Sequence, residues 1–237
     1  TVDEKGSGAR PPAGQRLTVG GRGTGLDRRG GVRGVRDGLR GLGHDLMQQL
    51  QGNSLRADLL LTHTHWDHIQ GLPFFKPLSA RGNEVRIRGA AQEGVPLEDI
   101  LGRQMDPMVF PVPLRALAAR IDVLEVSEGD FEIEGFKVDA VRLRHPGTTL
   151  GYILEPAEGG RRFAYLTDNE LGPGGNYPVP TRWREDLVRR LEGVDTLIHD
   201  AMYVDQMIEA SAGWGHSTPR ESVDLAHDAR VRRLILF

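Results

Sequence analysis

Short runs in which apolar and polar residues alternate occur along most of the chain, and they predict a fold rich in strands. Alternation with a period of two places successive side chains on opposite faces of a strand, so one face of each run is expected to be buried. Short continuous apolar runs fit strands that are buried on both faces. The predicted strands are Ala57–Thr62, Glu84–Gly89, Ile121–Val126, two runs within Phe131–Arg144, Thr149–Glu155, Arg162–Thr167, Thr196–His199 and Val231–Phe237.

Helical spacing occurs in three segments. The predicted helices are His44–Leu50, Thr181–Gly193 and a third that begins after Thr218 and ends near Arg230. In the third segment, Thr218 is followed by Pro219 and then by Glu221, which is the pattern of a capping box at a helix start. Strands dominate and helices are interspersed, so the pattern predicts an α/β (α+β) fold in which helices cover sheets.

Three segments are expected to lack regular structure. Residues 1–14 are rich in glycine, proline and charge, and we interpret them as a disordered lead-in. Glycine is so frequent between Gln15 and Gly43 that no strand can be placed there. Gly94–Pro113 contains four prolines and little periodicity, which indicates a long loop or lid. Residues 15–237 are expected to form a single domain that stops at its last core strand.

The composition narrows the chemistry that the protein can perform. None of the 237 residues is cysteine, which excludes disulfides, thiolate metal ligands and a cysteine nucleophile. A metal ion must therefore be held by histidine and carboxylate. The sequence has no apolar run of the roughly 20 residues needed to span a bilayer and no signal-peptide pattern at its start, so we expect a cytoplasmic protein.

Charge is distributed unevenly along the chain. Residues 1–50 contain nine Lys/Arg and five Asp/Glu, whereas residues 51–237 contain 21 and 28. A basic, flexible arm can contact phosphates, but segments of this composition are more often simply solvated. The charge pattern therefore does not require a nucleic-acid partner.

The chemically most informative segment reads HTHWDH and follows directly after a predicted strand. Side chains two residues apart on an extended segment face the same side, so His63 and His65 can reach one metal ion. A turn immediately afterwards can direct Asp67 and His68 toward a second ion. Imidazole and carboxylate are ligands that zinc accepts, and they also suit manganese or iron.

This segment resembles the HxHxDH signature of the metallo-β-lactamase fold superfamily. Four later segments match further motifs of that family in chain order: Leu143–Gly147 (LRHPG), Tyr165–Glu170 (YLTDNE), Leu197–Tyr203 (LIHDAMY) and Gly215–Thr218 (GHST). The last two resemble motifs of the branch that contains the tRNA 3′-processing enzyme RNase Z and its phosphodiesterase relatives. The resemblance implies a four-layer αββα sandwich with metal ions at one edge of its two sheets.

The resemblance also implies ligands for two divalent metal ions, expected to be zinc, with manganese or iron as alternatives. The first ion would be bound by three histidines and one aspartate, namely His63, His65, His145 and Asp168. The second would be bound by Asp67, His68 and the bridging Asp168. His199 is expected to face the core or to support Asp200 instead of binding metal.

The same resemblance assigns catalytic roles to Asp67, Asp200 and His216. Asp67 would orient a hydroxide generated at the metal ions. Asp200 would hold His216, and His216 would give a proton to the leaving oxygen, because a carboxylate beside an imidazole favours its protonated form. His44 and His227 lie in helical segments and are interpreted as solvent-facing or packing residues.

Two features depart from the family pattern. The family's D-x-G-(S/T)-G motif corresponds here to residues 21–25 (GRGTG), so either the support from its acid is missing or Asp27 or Asp37 replaces it. In the family, a histidine ligand of the second metal follows the last strand, whereas this sequence ends at Phe237. For the ligands present we expect tight binding at the first site and weak or partial occupancy of an incomplete second site.

Together, the residues and the resemblance predict a metal-dependent hydrolase. The first hypothesis is a phosphodiesterase that acts on small phosphodiesters or cyclic nucleotides through a metal-bound hydroxide, because Asp200 and His216 favour phosphoesters. The alternative is an RNase Z-like tRNA 3′-processing endonuclease. The acidic balance of residues 51–237 counts against it, as does the segment 94–113, which is too short and too rich in proline for a tRNA-gripping arm.

A third hypothesis is a non-catalytic metal-binding domain that retains the fold, since a fold alone does not secure a function. The expected partner is a small-molecule substrate, with nucleic acid less favoured and no membrane. The sequence leaves the oligomeric state open, with a homodimer as one alternative because homodimers are the commonest oligomers.

Overall fold

The computed structural model describes residues 18–19, 35–172, 174–207 and 210–237. The predicted lead-in, the segment 21–25 and Asp27 lie outside the described residues, as does the side chain of Asp37. The strands are β1 (Thr18–Val19), β2 (Arg56–Leu60), β3 (Glu84–Gly89), β4 (Arg120–Glu125), β5 (Gly129–Ile133), β6 (Phe136–Arg142), β7 (Leu150–Pro156), β8 (Phe163–Leu166), β9 (Thr196–His199) and β10 (Leu234–Leu236). The α-helices are α1 (Val35–Leu50), α2 (Trp66–Ile69), α3 (Leu97–Arg103), α4 (Trp183–Leu191) and α5 (Pro219–Asp228).

The strands form two sheets. One sheet has four parallel strands in the order β1-β2-β3-β4. The other has six strands in the order β10-β9-β8-β7-β6-β5, of which β10, β9 and β8 are parallel. In that second sheet, β7, β6 and β5 continue in antiparallel fashion. No helix in the described ranges is both long enough and apolar enough to cross a membrane.

Side-chain alternation along the strands divides the buried apolar residues into three clusters. On β7, Tyr152 packs with Leu60 of the first sheet in a cluster between the two sheets. Its neighbour Ile153 points the other way and packs with residues of α4 and α5. A third cluster joins α1 and α3 to the outer face of the four-stranded sheet. The layers are therefore helix, sheet, sheet and helix, which confirms the predicted αββα sandwich.

Strand direction decides which loops meet at the edge of the sandwich. Both β6 and β8 are antiparallel to β7, so they run the same way, and β9 is parallel to β8. The loops that follow these three strands consequently emerge at one edge. The loop after β2 lies at the same edge, because the backbone carbonyl of Thr62 accepts a hydrogen bond from the Leu150 amide at 2.9 Å. The Tyr152 hydroxyl also donates to the Leu61 carbonyl at 2.7 Å.

The predicted elements agree with the observed ones where the pattern is local. The bounds predicted for β3 and β9 are the observed ones. The capping box is present, with the Thr218 side chain accepting from the Glu221 amide. The expectation that Gly94–Pro113 is irregular is wrong for α3, which buries Leu97 and Leu101. The four prolines of the segment 94–113 lie before or after α3, so they do not interrupt the helix.

The glycine-rich region also differs from expectation. The first predicted helix begins at Val35 instead of His44, and a two-residue strand, β1, pairs with β2. Packing explains why a helix forms there despite its glycines. A Cβ added at Gly43 would lie 2.8 Å from Phe75 Cδ2 and 3.0 Å from the backbone nitrogen of Lys76. Glycine at 43 therefore lets α1 approach the following chain more closely than alanine would.

We expect Gly43→Ala and Gly41→Ala to change stability in opposite directions. Gly43→Ala should lower the free energy of unfolding by about 1–3 kcal/mol, because the added methyl overpacks a close contact. A Cβ at Gly41 meets nothing within 4 Å. Gly41→Ala should therefore raise the free energy of unfolding by about 0.5–1 kcal/mol, since alanine favours the helix. Urea denaturation of both variants measures this, and a shift of the same sign in both would contradict the packing argument.

Candidate metal centre

Three histidines converge where the loops of the two sheets meet. His63 Nε2 and His145 Nε2 each lie 3.0 Å from His65 Nδ1. Ligand atoms that are each about 2.0–2.1 Å from one zinc ion have a similar spacing. The structure thus brings together the three histidines that the sequence analysis assigned to the first ion. Their ligand atoms are among those that can hold a metal ion.

Hydrogen bonds on the far side of these rings direct lone pairs into the cluster. His145 Nδ1 lies 3.0 Å from the Gly215 carbonyl oxygen. A carbonyl can only accept, so in the neutral ring Nδ1 carries the proton and Nε2 the lone pair. His63 Nδ1 lies 3.2 Å from Thr62 Oγ1, which leaves its Nε2 facing the cluster.

Burial determines the charge of the three rings. It lowers the pKa of His145 to about 4, despite the hydrogen bond to Gly215 that opposes the shift. Burial also lowers the pKa of His63 well below its usual value, and that of the less buried His65. At neutral pH all three imidazoles are therefore uncharged, which is the form that binds a metal.

Asp168 connects this cluster to a second group of ligand atoms. Its Oδ2 lies 2.9 Å from His68 Nε2, 3.6 Å from His63 Nε2 and 3.8 Å from His145 Nε2. Its Oδ1 accepts a 2.6 Å hydrogen bond from the Thr167 hydroxyl, which holds the carboxylate in place. The backbone of Asp168 has a φ of 40°, in the left-handed region that aspartate tolerates better than most residues. One oxygen thus faces ligand groups on both sides, as a bridging ligand would.

Asp67 and His68 lie on the single turn of α2, which follows the histidine cluster. His68 is buried and joins His63 and Asp168 in a second group of ligand atoms within 4.8 Å of one another. Asp67 is half-exposed, and its Oδ2 lies 3.2 Å from His68 Nε2 at the rim of this group. Imidazole and carboxylate are the donors here, and this set fits zinc, manganese or iron.

Asp200 and His216 form a pair beside the ligand groups. Asp200 Oδ2 lies 2.8 Å from His216 Nδ1. A ring nitrogen of His216 also forms a group with ligand atoms of His145 and Asp168. The two residues that the sequence analysis paired for proton transfer are therefore in hydrogen-bond contact and adjacent to the centre.

Asp200 is held by the main chain. Its Oδ2 accepts from the amides of Asn169 and Ser217, both at 3.2 Å, and its Oδ1 accepts from the Met202 amide at 3.0 Å. The carboxylate is buried, so these contacts replace the water that it would otherwise bind. Asp200 thereby presents a fixed acceptor to His216.

Asn169 links several parts of the centre, although no motif in the sequence singles it out. Its side-chain oxygen accepts a hydrogen bond from the backbone amide of Arg144 at 3.1 Å. Its side-chain nitrogen, Nδ2, lies 3.1 Å from His199 Nε2. The only local signal is its place directly after Asp168. Its partners are distant in sequence, so the pattern could not reveal this role.

The remaining histidines lie where they were expected. His199 is fully buried, with Nδ1 2.8 Å from Ser222 Oγ, and burial lowers its pKa. His44 is exposed on α1, and the His227 side chain is 90% exposed on α5.

Similarity to known proteins agrees with this geometry. Residues 43–237 match the family described as the beta-lactamase superfamily domain. Ribonuclease Z of Exiguobacterium sibiricum is 28% identical over 220 residues, covering 76% of this chain and 70% of that protein. Ribonuclease Z of Metallosphaera sedula is 28% identical over 205 residues, with coverages of 76% and 69%.

Similar solved structures also share the fold. The short form of human tRNase Z has a TM-score of 0.53 and 24% identity, over 81% of this chain and 76% of that one. A diphosphatase of the PhnP family also has a TM-score of 0.53, with 22% identity over 85% and 65% of the two chains. The family match spans most of the residues described above, and the chain belongs to the β-lactamase superfamily as a metal-binding hydrolase of the metallo-β-lactamase fold.

Proposed function

We propose that this protein is a metal-dependent phosphodiesterase that acts on small phosphodiesters or cyclic nucleotides. The observation that carries the proposal is the Asp200–His216 pair, held at 2.8 Å beside the ligand groups. A site that only binds a metal has no use for a histidine poised in this way. Hydrolysis of a phosphoester with an alkoxide leaving group does need one, because that leaving oxygen must gain a proton.

The ligand groups supply the electrostatic part of the reaction. Divalent ions bound by His63, His65 and His145, and by Asp67, His68 and the bridging Asp168, would make water acidic and neutralise charge on the phosphoryl oxygens. The neutral imidazoles of His63, His65 and His145 contribute lone pairs. Asp168 contributes negative charge to both groups. Asp67 is exposed at the rim, where it can accept a hydrogen bond from the attacking water.

His216 supplies the proton at the other side of the substrate. Its Nδ1–H donates to Asp200 Oδ2, which orients the ring and leaves Nε2 to face the substrate. As the bond between phosphorus and the leaving oxygen breaks, the proton on Nε2 passes to that oxygen. Three backbone amides fix the Asp200 carboxylate, so the carboxylate holds the His216 ring in one orientation.

Two observations support a small substrate. Residues 97–105 do not extend away from the body, because Leu97, Leu101 and Met105 are fully buried in the core beside the first sheet. Residues 51–237 contain 21 basic and 28 acidic residues, a net charge of −7, whereas a surface that binds RNA is usually basic. Both favour a ligand that enters the metal site without wrapping the protein surface.

A tRNA 3′-processing endonuclease is the second candidate. The relatives named Ribonuclease Z match about three quarters of this chain, which favours it. The two candidates share the same ligands and the same proton donor. They differ in the size and charge of the substrate, so a comparison of substrates separates them.

We expect the metal-loaded protein to hydrolyse bis(p-nitrophenyl) phosphate and a cyclic nucleotide with a higher kcat/KM than a precursor tRNA that carries a 3′ trailer. Treatment with EDTA should abolish all turnover, and added zinc or manganese should restore it, because the ions activate the water. Kinetic assays with matched metal content measure this. Faster cleavage of the precursor tRNA would favour the second candidate, and no turnover of any substrate after metal is restored would favour a non-catalytic domain.

We expect His216→Ala to lower kcat by about 10²–10⁴-fold on a cyclic nucleotide, whose leaving oxygen needs a proton. The loss on bis(p-nitrophenyl) phosphate should be much smaller, because p-nitrophenolate leaves without protonation. His227→Ala is the matched control, since that side chain is 90% exposed on α5. An equal loss on both substrates would show that His216 does not act as the proton donor.

A further inference from the structure

Glu170 is a buried carboxylate two residues beyond Asp168, and the proposed reaction does not use it. It is only 4% exposed. Its two oxygens accept four hydrogen bonds from two separate segments, from Gly175 N at 2.7 Å, Tyr177 Oη at 2.6 Å, Gly213 N at 2.9 Å and Gly215 N at 3.0 Å. A single side chain therefore joins the segment 174–177 to the segment 213–215.

The second of these segments carries groups of the metal centre. The Gly215 amide donates to Glu170, and the Gly215 carbonyl accepts from His145 Nδ1 at 3.0 Å. His216 follows directly in the chain and contacts Asp200. The position of this short backbone segment thus sets both the orientation of the His145 ring and the position of the His216 backbone.

Close packing leaves the segment little freedom. Gly215 has a φ of 84°, and a Cβ added there would overlap His145 Nδ1. A Cβ added at Gly174 would lie 2.6 Å from both Glu170 Oε1 and Ala212 Cβ. The two segments therefore pass against each other and against Glu170 with no space for side chains at these glycines.

The chemistry of the four contacts requires a carboxylate. An ionised carboxylate only accepts hydrogen bonds. Oε2 accepts from Tyr177, Gly213 and Gly215, and Oε1 accepts from Gly175. A glutamine of the same shape turns its NH₂ group toward at least the Gly175 amide, which loses its acceptor, and it offers Gly213 and Gly215 a weaker, neutral acceptor. Glu170 belongs to none of the groups of described residues that could hold a metal ion, so the residue acts through the backbone.

We propose that Glu170 is a positioning residue of the metal centre, which fixes the segment 213–215 so that the Gly215 carbonyl keeps the His145 proton on Nδ1 and aims Nε2 at the metal. The inference rests on the metal site of the proposed function but not on turnover of any substrate. A protein that binds zinc and hydrolyses no phosphodiester would refute the proposed function and leave this role intact.

The test compares the zinc affinity of variants of this 237-residue chain by competition with a chelator. Glu170→Gln should weaken zinc binding by about 10–100-fold, the usual cost of removing support behind a metal ligand. Tyr177→Phe deletes one donor and leaves the contacts to Gly213 and Gly215, so its zinc affinity should stay close to that of the unaltered protein. Glu155→Gln, at a half-exposed position on β7, controls for the loss of one negative charge.

A second readout follows the proton on His145 directly. NMR of protein with ¹⁵N-labelled histidine should show a slowly exchanging Nδ1–H for His145, and Glu170→Gln should broaden or remove this signal. A folded Glu170→Gln protein with unchanged zinc affinity and an unchanged Nδ1–H signal would overturn the proposal.

Should Glu170→Gln fail to fold, amide hydrogen exchange in the unaltered protein decides the matter. The amides of Gly213 and Gly215 are expected to exchange slowly, because each donates a hydrogen bond to the Glu170 carboxylate. If these two amides exchanged as fast as amides in an open loop, their hydrogen bonds to Glu170 would be absent, and the proposal would fail.

Discussion

One buried carboxylate oxygen, Oδ2 of Asp168, is the point on which the structure of the centre depends. It lies between His68 on one side and His63 and His145 on the other. A buried carboxylate is unfavourable unless charge or hydrogen bonds compensate it, and the neutral imidazoles of His63 and His145 compensate it only in part. A bound cation would complete the compensation. The same arrangement that is costly in the bare protein therefore favours a divalent ion.

The sandwich makes this arrangement by controlling strand direction. The loops after β6, β8 and β9 emerge together, and the hydrogen bond between Thr62 and Leu150 brings the loop after β2 to the same edge. Ligands from both sheets thus meet without any long excursion of the chain. His63, His145 and Asp168 lie two or three residues beyond the ends of β2, β6 and β8, so their side chains are held more rigidly than those in the middle of a free loop would be.

A layer of hydrogen bonds lies behind the ligands and orients them. Asn169 connects the main chain before His145 to His199, and backbone amides fix Asp200. Glu170 ties the segment 213–215, which contacts His145, to the segment 174–177. These groups touch neither a metal nor a substrate, yet they decide which ring nitrogen carries a proton and where the lone pairs point. The chemistry of the centre depends on them as much as on the ligands themselves.

The sequence by itself determined the elements and ligands whose signal is local. His63 and His65 are two residues apart after a strand, and Thr218 and Glu221 are three apart at a helix start, so the backbone geometry of one element is enough to interpret them. The resemblance to the family added His145, Asp168, Asp200 and His216, which one short segment cannot identify. The pattern misjudged α3, because the prolines of that segment lie outside the helix, and it misjudged the start of α1, where close packing outweighed the low helix propensity of glycine.

Only the tertiary structure decided the contacts between residues far apart in the chain. His145 and His65 are 80 positions apart, His145 and Gly215 are 70 apart, and Glu170 and Gly215 are 45 apart. No periodicity or propensity encodes such pairs, because each depends on the stacking of two sheets and on the loops that this stacking brings together. The sequence determined which atoms are available to bind a metal, and the fold decided their distances, their burial and the location of their protons.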